Sequence, residues 1–154
     1  MKQLLFVCSG NTCRSPMAEA CFKVLAQAHG LDGLIVKSAG TGAIKGAPAS
    51  YQACEAVKEI GGDLRDFSST PLSFELVDKS DLIIAMTAGH RAEILRRYPA
   101  AAGKVRLLLE FDNQAGANVN DPFGGGLDLY RFTLSAMMPA LNRLAEKILN
   151  NEIK

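Results

Sequence analysis

Four short apolar runs, separated by longer amphipathic stretches, constrain the fold of this chain more than any other feature of its sequence. Each run is almost continuous in Leu, Ile, Val or Phe, as is typical of strands buried on both faces of a parallel sheet. The stretches between the runs repeat their apolar residues at helical spacing. The predicted strands are Gln3–Cys8, Leu34–Ser38, Asp81–Met86 and Val105–Leu109. The predicted helices are Ser15–His29, Ser50–Ile60, Ala88–Tyr98 and Leu127–Asn150.

This alternation predicts the fold class. Strands that alternate with helices favour right-handed crossovers and a parallel sheet that is covered on both faces. A chain of 154 residues can bury roughly 70% of its unfolded surface, which is enough for one core. We therefore expect a single doubly wound α/β domain over residues 1–154, with a four-stranded parallel sheet flanked by helices. Pro139 is expected to kink or end the last helix, because proline lacks the amide hydrogen that a helix interior uses.

The composition argues against several functional classes. The chain has 17 Lys and Arg against 16 Asp and Glu, a net charge of +1, whereas nucleic-acid binders usually carry a basic excess. Its apolar runs are far shorter than the ~20 residues that span a bilayer, so we expect no membrane partner and a cytoplasmic location. Its four cysteines include no Cys-x-x-Cys pair and its two histidines stand apart. We therefore expect neither a disulfide scaffold nor a metal site.

The segment that joins the first predicted strand to the first predicted helix carries the strongest functional signal. It runs from Cys8 to Pro16 and reads Cys-Ser-Gly-Asn-Thr-Cys-Arg-Ser-Pro. The backbone N–H groups of such a loop and the N-terminus of the following helix form a cradle for an anion. Arg14 can clamp two oxygens of a tetrahedral anion with its planar guanidinium. The same N–H groups favour the thiolate form of Cys8, which is the nucleophilic form.

Other residues of this loop suit the same chemistry. Gly10 and Asn11 tolerate the left-handed backbone of a tight turn, and Ser15 can hydrogen-bond the sulfur and stabilise it as a leaving group. A free cysteine is more often a small buried hydrophobe, but strand, loop, arginine and helix together favour a thiolate that attacks phosphorus. The rival Walker phosphate loop needs a Gly-Lys-Ser/Thr sequence that this chain lacks. The sequence therefore predicts a phosphate-binding loop after the first strand.

The segment from Cys8 to Pro16, with the following Met17–Ala20, resembles the signature of low-molecular-weight protein phosphatases. The resemblance continues through Ser38–Thr41, Ser80–Thr87 and Asp121–Phe123, so it covers essentially the whole chain in order. It implies a four-stranded parallel sheet with helices on both faces, no metal, no cofactor and a cysteinyl-phosphate intermediate. The implied partners are phosphorylated proteins or peptides, and the implied state is a monomer or weak dimer.

The resemblance also implies roles for individual residues. Cys8 is the expected nucleophile, Arg14 is expected to bind the phosphoryl oxygens, and Asp121 is the expected general acid. A poor leaving group needs such a proton donor, and the ionised carboxylate can then serve as the base that activates water. The residues expected to bind phosphate or support the loop are Ser9, Gly10, Asn11, Thr12, Cys13, Ser15 and Ser38.

Thr12 and the residues after Asp121 depart from the pattern of phosphotyrosine-specific members. Those members usually carry Ile or Leu at the position of Thr12, and a pair of tyrosines where this chain continues with Phe123 and three glycines. The combination resembles instead the bacterial branch that removes phosphate from arginine side chains. A β-branched hydroxyl makes the entrance narrower and more polar, which suits a phosphorylated guanidinium. We therefore expect a protein-arginine phosphatase, with Thr12 and Phe123 as specificity residues and a protein-tyrosine phosphatase as the alternative.

Three further positions carry expectations that a structure can address. Members of the family often have a histidine that hydrogen-bonds the loop asparagine, and Phe67 occupies that position here, so one support of the loop is expected to be missing or replaced. By the same resemblance, Cys13 is a candidate partner for a reversible disulfide with Cys8, the alternative being simple packing against the first helix. His29 and His90 lie near predicted helix ends and are expected to be solvated.

Two rival functions remain on the sequence alone. A thiol-dependent arsenate reductase shares this kind of loop but relays oxidation through a pair of later cysteines, and only Cys21 and Cys54 follow Cys13 here. Both lie on apolar helical faces and are expected to be buried. The second rival is a module that binds phosphate without hydrolysing its ester. Binding of a phosphopeptide without phosphate release would distinguish that module from an enzyme.

Overall fold

The computed structural model describes residues 1–153 and contains a four-stranded, all-parallel sheet with the strand order β2-β1-β3-β4. The strands are β1 (Gln3–Cys8), β2 (Ile35–Gly40), β3 (Leu82–Ala85) and β4 (Val105–Leu107). The helices are α1 (Arg14–Ala28), α2 (Tyr51–Lys58), α3 (Phe74–Lys79), α4 (Ala88–Arg97) and α5 (Leu127–Leu149). Short 3₁₀ helices span Pro99–Lys104 and Leu108–Asp112. The predicted fold class is confirmed.

The sheet separates two apolar cores, and the alternation of side chains along β1 shows why its apolar run is unbroken. Leu4 and Phe6 point into a core shared with α1, α2 and α5, while Leu5 and Val7 point into a core shared with α3 and α4. All four side chains are fully buried. Because successive residues of a strand face opposite sides, a strand covered on both faces needs an apolar residue at every position.

The predicted element bounds differ from the structure in a few informative places. β4 ends at Leu107, because the chain turns there into a 3₁₀ helix. β2 continues to Gly40 and pairs with Cys8 at the end of β1. The helix α3 was not predicted, since its six residues are too few to show helical periodicity. α1 begins at Arg14, one residue before the predicted start, so Pro16 is its third residue and lies within the turn whose amide groups have no helical partner.

Pro139 does not end α5, so that part of the prediction was wrong. The helix runs for 23 residues and includes Pro139 in its interior. Met137, Ala140 and Leu141 are fully buried on either side of the proline, and this packing outweighs the lost hydrogen bond. No helix within residues 1–153 is long and apolar enough to cross a membrane.

Replacing Pro139 with alanine is expected to stabilise the protein. Pro139→Ala restores a donor to the carbonyl of Ser135 and improves helix propensity, while it loosens the unfolded chain. The net gain in the free energy of unfolding is expected to be about 2 kcal/mol, measured by urea denaturation. Ser135→Ala, one turn earlier on the exposed side, is the control that changes propensity alone. A gain no larger than that of the control would contradict the prediction.

Candidate active site

The site lies at the carboxyl edge of the sheet, where loops and helix N-termini converge in folds of this kind. Cys8 ends β1 and pairs with Gly40 at the end of β2, while the preceding Val7 pairs with Ala85 at the end of β3. The loop of residues 9–13 leaves this edge and enters α1. Three strands therefore hold the start of the loop in a fixed position.

Eight of the eleven predicted site residues line one pocket of about 260 Å³, and the other three, Asn11, Ser15 and Ser38, lie behind it. Cys8 is only 3% exposed, and its Sγ lies 2.9 Å from the Oγ of Ser15. The sulfur therefore sits in a recess that only a small group can enter. The pocket is lined by Cys8, Ser9, Gly10, Thr12, Cys13, Arg14, Asp121 and Phe123.

Asn11 organises the loop from within. It is fully buried and has a left-handed backbone with φ of 55°. Its Nδ2 donates to Ser15 Oγ at 2.8 Å and to Ser38 Oγ at 2.9 Å. Its Oδ1 accepts the backbone N–H of Thr70 at 2.8 Å. Gly10, also predicted to tolerate a left-handed turn, does not have positive φ, so Asn11 alone makes that turn.

The hydrogen bond from Thr70 shows what supports Asn11 in a chain that has Phe67 where family members often have a histidine. Phe67 is partly buried and packs against the core on the α1 side of the sheet. The side-chain oxygen of Asn11 is instead satisfied by the Thr70 amide, and the hydroxyl of Ser69 donates to the carbonyl of Asn11 at 2.7 Å. The histidine support is therefore replaced by backbone and hydroxyl donors three residues or fewer from Phe67.

Glu19 is a part of the site that the sequence analysis did not identify. Its Oε1 accepts a hydrogen bond from Ser38 Oγ at 2.7 Å, and its Oε2 pairs with Lys23 at 2.7 Å. A carboxylate only accepts, so the Ser38 hydroxyl donates to Glu19 and must accept from Asn11. Ser15 also accepts from Asn11, which leaves its own hydrogen for the sulfur of Cys8 at 2.9 Å or for the more distant carbonyl of Ala39 at 3.4 Å.

Arg14 connects the loop to the segment that carries the predicted general acid. The Arg14 side chain is 7% exposed and the Asp121 side chain 51%, and Nη2 of Arg14 lies 3.4 Å from Asp121 Oδ2. Its Nη1 donates to the carbonyl of Val119 at 3.1 Å. Asp121 Oδ1 also accepts the backbone N–H of Phe123 at 3.1 Å. The carboxylate is therefore held at the pocket lip, beside the arginine and open to solvent.

His90 is buried, not solvated, so that expectation was wrong. The residue is 7% exposed, with Nε2 2.7 Å from Ser9 Oγ and Nδ1 2.9 Å from Thr87 Oγ1. Burial, helped by the nearby positive charge of Arg14, lowers the pKa of His90 to about 4. The sequence signal that was available is Thr87, a helix-capping residue type three positions before His90. His29, by contrast, is the partly exposed C-cap of α1.

Cys13 lies against α5 and the start of α2. Its Sγ is 3.1 Å from the hydroxyl of Tyr130 and 3.8 Å from Ser50 Oγ. Burial and the hydrogen bond with Cys13 raise the pKa of Tyr130 to about 12. All four cysteines are free thiols in the structure, and a reversible disulfide between Cys13 and Cys8 stays a prediction. Cys21 is fully buried as expected, and Cys54 is only partly buried.

The end of β2 approaches the loop closely enough to exclude any side chain at Gly40. A Cβ at this position would lie 2.4 Å from the carbonyl oxygen of Ser9 and 2.9 Å from the amide nitrogen of Asn11. The same edge also binds the loop directly, because Thr41 N donates to the carbonyl of Cys8 at 2.9 Å. No group of three His, Cys, Asp or Glu side chains in residues 1–153 is arranged to hold a metal ion.

Gly40→Ala is expected to displace the loop and lower the rate of phosphate release at least about tenfold, with a loss of stability of about 1–3 kcal/mol. The activity is measured with a phosphorylated peptide and the stability by thermal unfolding. Gly103→Ala is the control, since a Cβ there has no heavy atom within 4 Å. Wild-type activity in the Gly40 variant would show that the close approach does not fix the loop.

Comparison with known proteins places the chain in a family. The family described as low molecular weight phosphotyrosine protein phosphatase matches residues 3–154. A protein-arginine-phosphatase of Bacillus subtilis (strain 168) is 41% identical over 145 residues, covering 94% of this chain and 95% of that protein. The probable low molecular weight protein-tyrosine-phosphatase EpsP of Ralstonia nicotianae is 36% identical over 144 residues, covering 94% of this chain and 89% of its own.

A solved structure shows the same likeness in three dimensions. It is the YwlE arginine phosphatase in a cysteine-to-serine mutant with a phosphorylated active-site serine, at a TM-score of 0.90 and 39% identity, covering 95% of each chain. The match of the family over nearly all residues agrees with the parallel sheet and with the loop at its carboxyl edge. The chain therefore belongs to the low molecular weight phosphotyrosine protein phosphatase family of protein phosphatases.

Proposed function

We propose that this protein is a metal-independent protein phosphatase that hydrolyses phosphoarginine through a cysteinyl-phosphate intermediate. One observation carries the proposal: the thiol of Cys8, the guanidinium of Arg14 and the carboxylate of Asp121 line one small pocket together with Thr12. A nucleophile, an anion clamp and a proton donor around one recess are the groups that phosphoryl transfer to a thiolate requires. The relatives named protein-arginine-phosphatase support the choice of substrate.

In the first step the thiolate of Cys8 attacks phosphorus while Arg14 binds the phosphoryl oxygens. A sulfur–phosphorus bond forms and the phosphorus–nitrogen bond of phosphoarginine breaks. Asp121 donates its proton to the departing guanidine nitrogen. Its half-exposed position beside Arg14 places the carboxyl group at the pocket lip, where the leaving group emerges. The relative with a phosphorylated serine in place of its active-site cysteine supports Cys8 as the phosphoryl acceptor.

In the second step a water molecule attacks the cysteinyl-phosphate. Asp121, now ionised, accepts a proton from the water, the sulfur–phosphorus bond breaks, and inorganic phosphate leaves. The Cys8 thiolate is the leaving group in this step. Its stabilisation falls to the hydroxyl of Ser15, which lies 2.9 Å from the sulfur and 3.4 Å from the carbonyl of Ala39. Asn11 donates to the oxygen of this hydroxyl, so its hydrogen is available to the thiolate, the nearer and charged acceptor. Arg14 holds the phosphoryl group through both steps.

The pocket entrance supports phosphoarginine as the substrate. Thr12 is partly buried at the wall, and the side chain of Phe123 is 77% exposed at the rim. A guanidinium is planar, can donate hydrogen bonds to the Asp121 carboxylate and can stack on an aromatic face. The hydroxyl of Thr12 makes this wall polar. The carboxylate and the hydroxyl fit a guanidinium better than a bulky apolar group.

Phosphotyrosine hydrolysis by the same residues is the second candidate. The exposed ring of Phe123 is the observation that favours it, because an aromatic side chain at the rim can also pack against a phenol. The protein partners are phosphorylated proteins in either case. We also propose that the protein works in the cytoplasm, a reducing compartment, since its four cysteines are all free.

The first test compares phosphate release from matched phosphoarginine and phosphotyrosine peptides. The wild-type protein is expected to prefer phosphoarginine. Cys8→Ser is expected to release phosphate from neither peptide, because a serine oxygen is a poorer nucleophile than a thiolate at neutral pH and a much poorer leaving group from phosphorus. A preference for phosphotyrosine would keep the mechanism and favour the second candidate. Release from neither peptide by the wild type, with peptide binding retained, would identify a non-catalytic phosphate-binding module.

Thr12→Ile is expected to shift the preference toward phosphotyrosine. The larger apolar side chain packs on a phenol ring and removes the polar wall that faces a guanidinium, so the ratio of kcat/KM values should change by about tenfold. Thr12→Val is the matched control, since it removes the hydroxyl and keeps the β-branched shape. An unchanged ratio in Thr12→Ile would show that Thr12 does not select the substrate.

A further inference from the structure

The segment that follows β3 contacts both halves of the site. Met86 N donates to the carbonyl of Val7 in β1 at 3.0 Å, and Val119 N donates to the carbonyl of Met86 at 2.9 Å. Ala88 N donates to Asn118 Oδ1 at 2.8 Å. The start of α4 therefore lies between the phosphate-binding loop and the segment that leads to Asp121. A buried side chain at this position can act on the loop.

His90 is the buried side chain that reaches the loop from α4. Its two ring nitrogens have one partner each, Thr87 Oγ1 at 2.9 Å and Ser9 Oγ at 2.7 Å. Ser9 follows Cys8 directly, and its backbone carbonyl is bound separately by Gly42 N at 2.9 Å. Within residues 1–153, His90 is the only hydrogen-bond partner of the Ser9 hydroxyl.

The directions of these hydrogen bonds follow from the donors present. Thr87 Oγ1 accepts the backbone N–H of His90 at 3.1 Å, and its own hydrogen is free to donate to Nδ1. The ring is neutral near pH 7, since its pKa is about 4, and a neutral ring has one N–H. That hydrogen then lies on Nε2 and donates to Ser9 Oγ. The opposite tautomer would leave the Thr87 hydrogen without an acceptor among the described residues.

We propose that His90 is a positioning residue that orients the hydroxyl of Ser9 as an additional hydrogen-bond donor to the phosphoryl group. Ser9 lines the same pocket as Cys8 and Arg14. Because Ser9 Oγ accepts from His90, its single hydrogen is directed away from the ring and is available to an oxygen bound in the pocket. This inference rests on the proposed function, since it assigns a further contact to the same phosphoryl site.

The neutrality of His90 suits this role. A charged imidazolium would place a second positive charge near Arg14 in a buried position, and its burial would be unfavourable. The neutral ring instead accepts from Thr87, the N-cap of α4, and donates to Ser9 in the loop, so each hydrogen bond has one direction. Asp121 is the other charged group that acts on the ring, with an opposite and smaller effect on its pKa than Arg14. The ring therefore contributes geometry, and Arg14 contributes the charge.

Calorimetric titration with inorganic phosphate tests the inference without requiring turnover. Ser9→Ala and His90→Asn are each expected to weaken phosphate binding about tenfold, the range for a hydrogen bond to a charged group. An asparagine amide can replace Nδ1 but does not reach Ser9, whereas a glutamine amide reaches the position of Nε2. His90→Gln is therefore expected to restore affinity to within about threefold of wild type. His29→Asn, at the C-cap of α1, is the matched control and should bind phosphate as the wild type does.

The double variant separates positioning from a structural effect. If His90 acts through Ser9, His90→Asn added to Ser9→Ala weakens binding no further than Ser9→Ala alone. Additive losses, or wild-type affinity in Ser9→Ala, would overturn the inference. Ser9 is exposed, so Ser9→Ala remains a valid test even if His90→Asn unfolds, which thermal unfolding would show. If wild type binds phosphate but releases none from a phosphopeptide, the proposed function fails and the titrations still decide the role of His90.

Discussion

The conformation of the phosphate-binding loop depends on the buried side chain of Asn11. Asparagine is one of the few residues that adopt a left-handed backbone without large strain, and here φ is 55°. Each polar atom of its side chain has a partner, on Ser15, Ser38 or Thr70. A buried amide left without partners costs about 1–3 kcal/mol. The loop can therefore keep its shape only while α1, β2 and the segment after Phe67 keep their positions around it.

Two charged side chains extend this network in opposite directions. On one side Glu19 fixes the direction of the Ser38 hydroxyl, which accepts from Asn11 as Ser15 does. On the other side Arg14 joins the loop to the segment of Asp121. The groups that would stabilise charge are thus held rigidly before substrate arrives, as electrostatic preorganisation requires. Asp121 itself is half-exposed, which suits the role proposed for it, the exchange of protons with a leaving group and with water.

The parts of the fold that depend on periodicity were predictable, and the parts that depend on distant contacts were not. The unbroken apolar run of β1 predicted a strand covered on both faces, and helical spacing predicted four of the five helices. Pro139 does not end α5 as the general preference of proline predicts, because buried residues on both sides of it hold the helix in place. The burial of His90 was not predicted, because a position near a helix end does not indicate which loop packs against that end. Glu19 went unnoticed because a Glu–Lys pair four residues apart usually marks an exposed helix face.

The sequence by itself determined the parallel sheet and a loop built to hold a tetrahedral anion. Both are local, since apolar runs define the strands and the seven residues from Cys8 to Arg14 carry the turn and the cation. Only the tertiary structure decided how that loop is supported. Ser9 meets His90 across 81 positions of sequence, and Asn11 meets Thr70 across 59. Such contacts form only when parallel strands bring their carboxyl ends to one edge, and no local pattern records which side chains then meet.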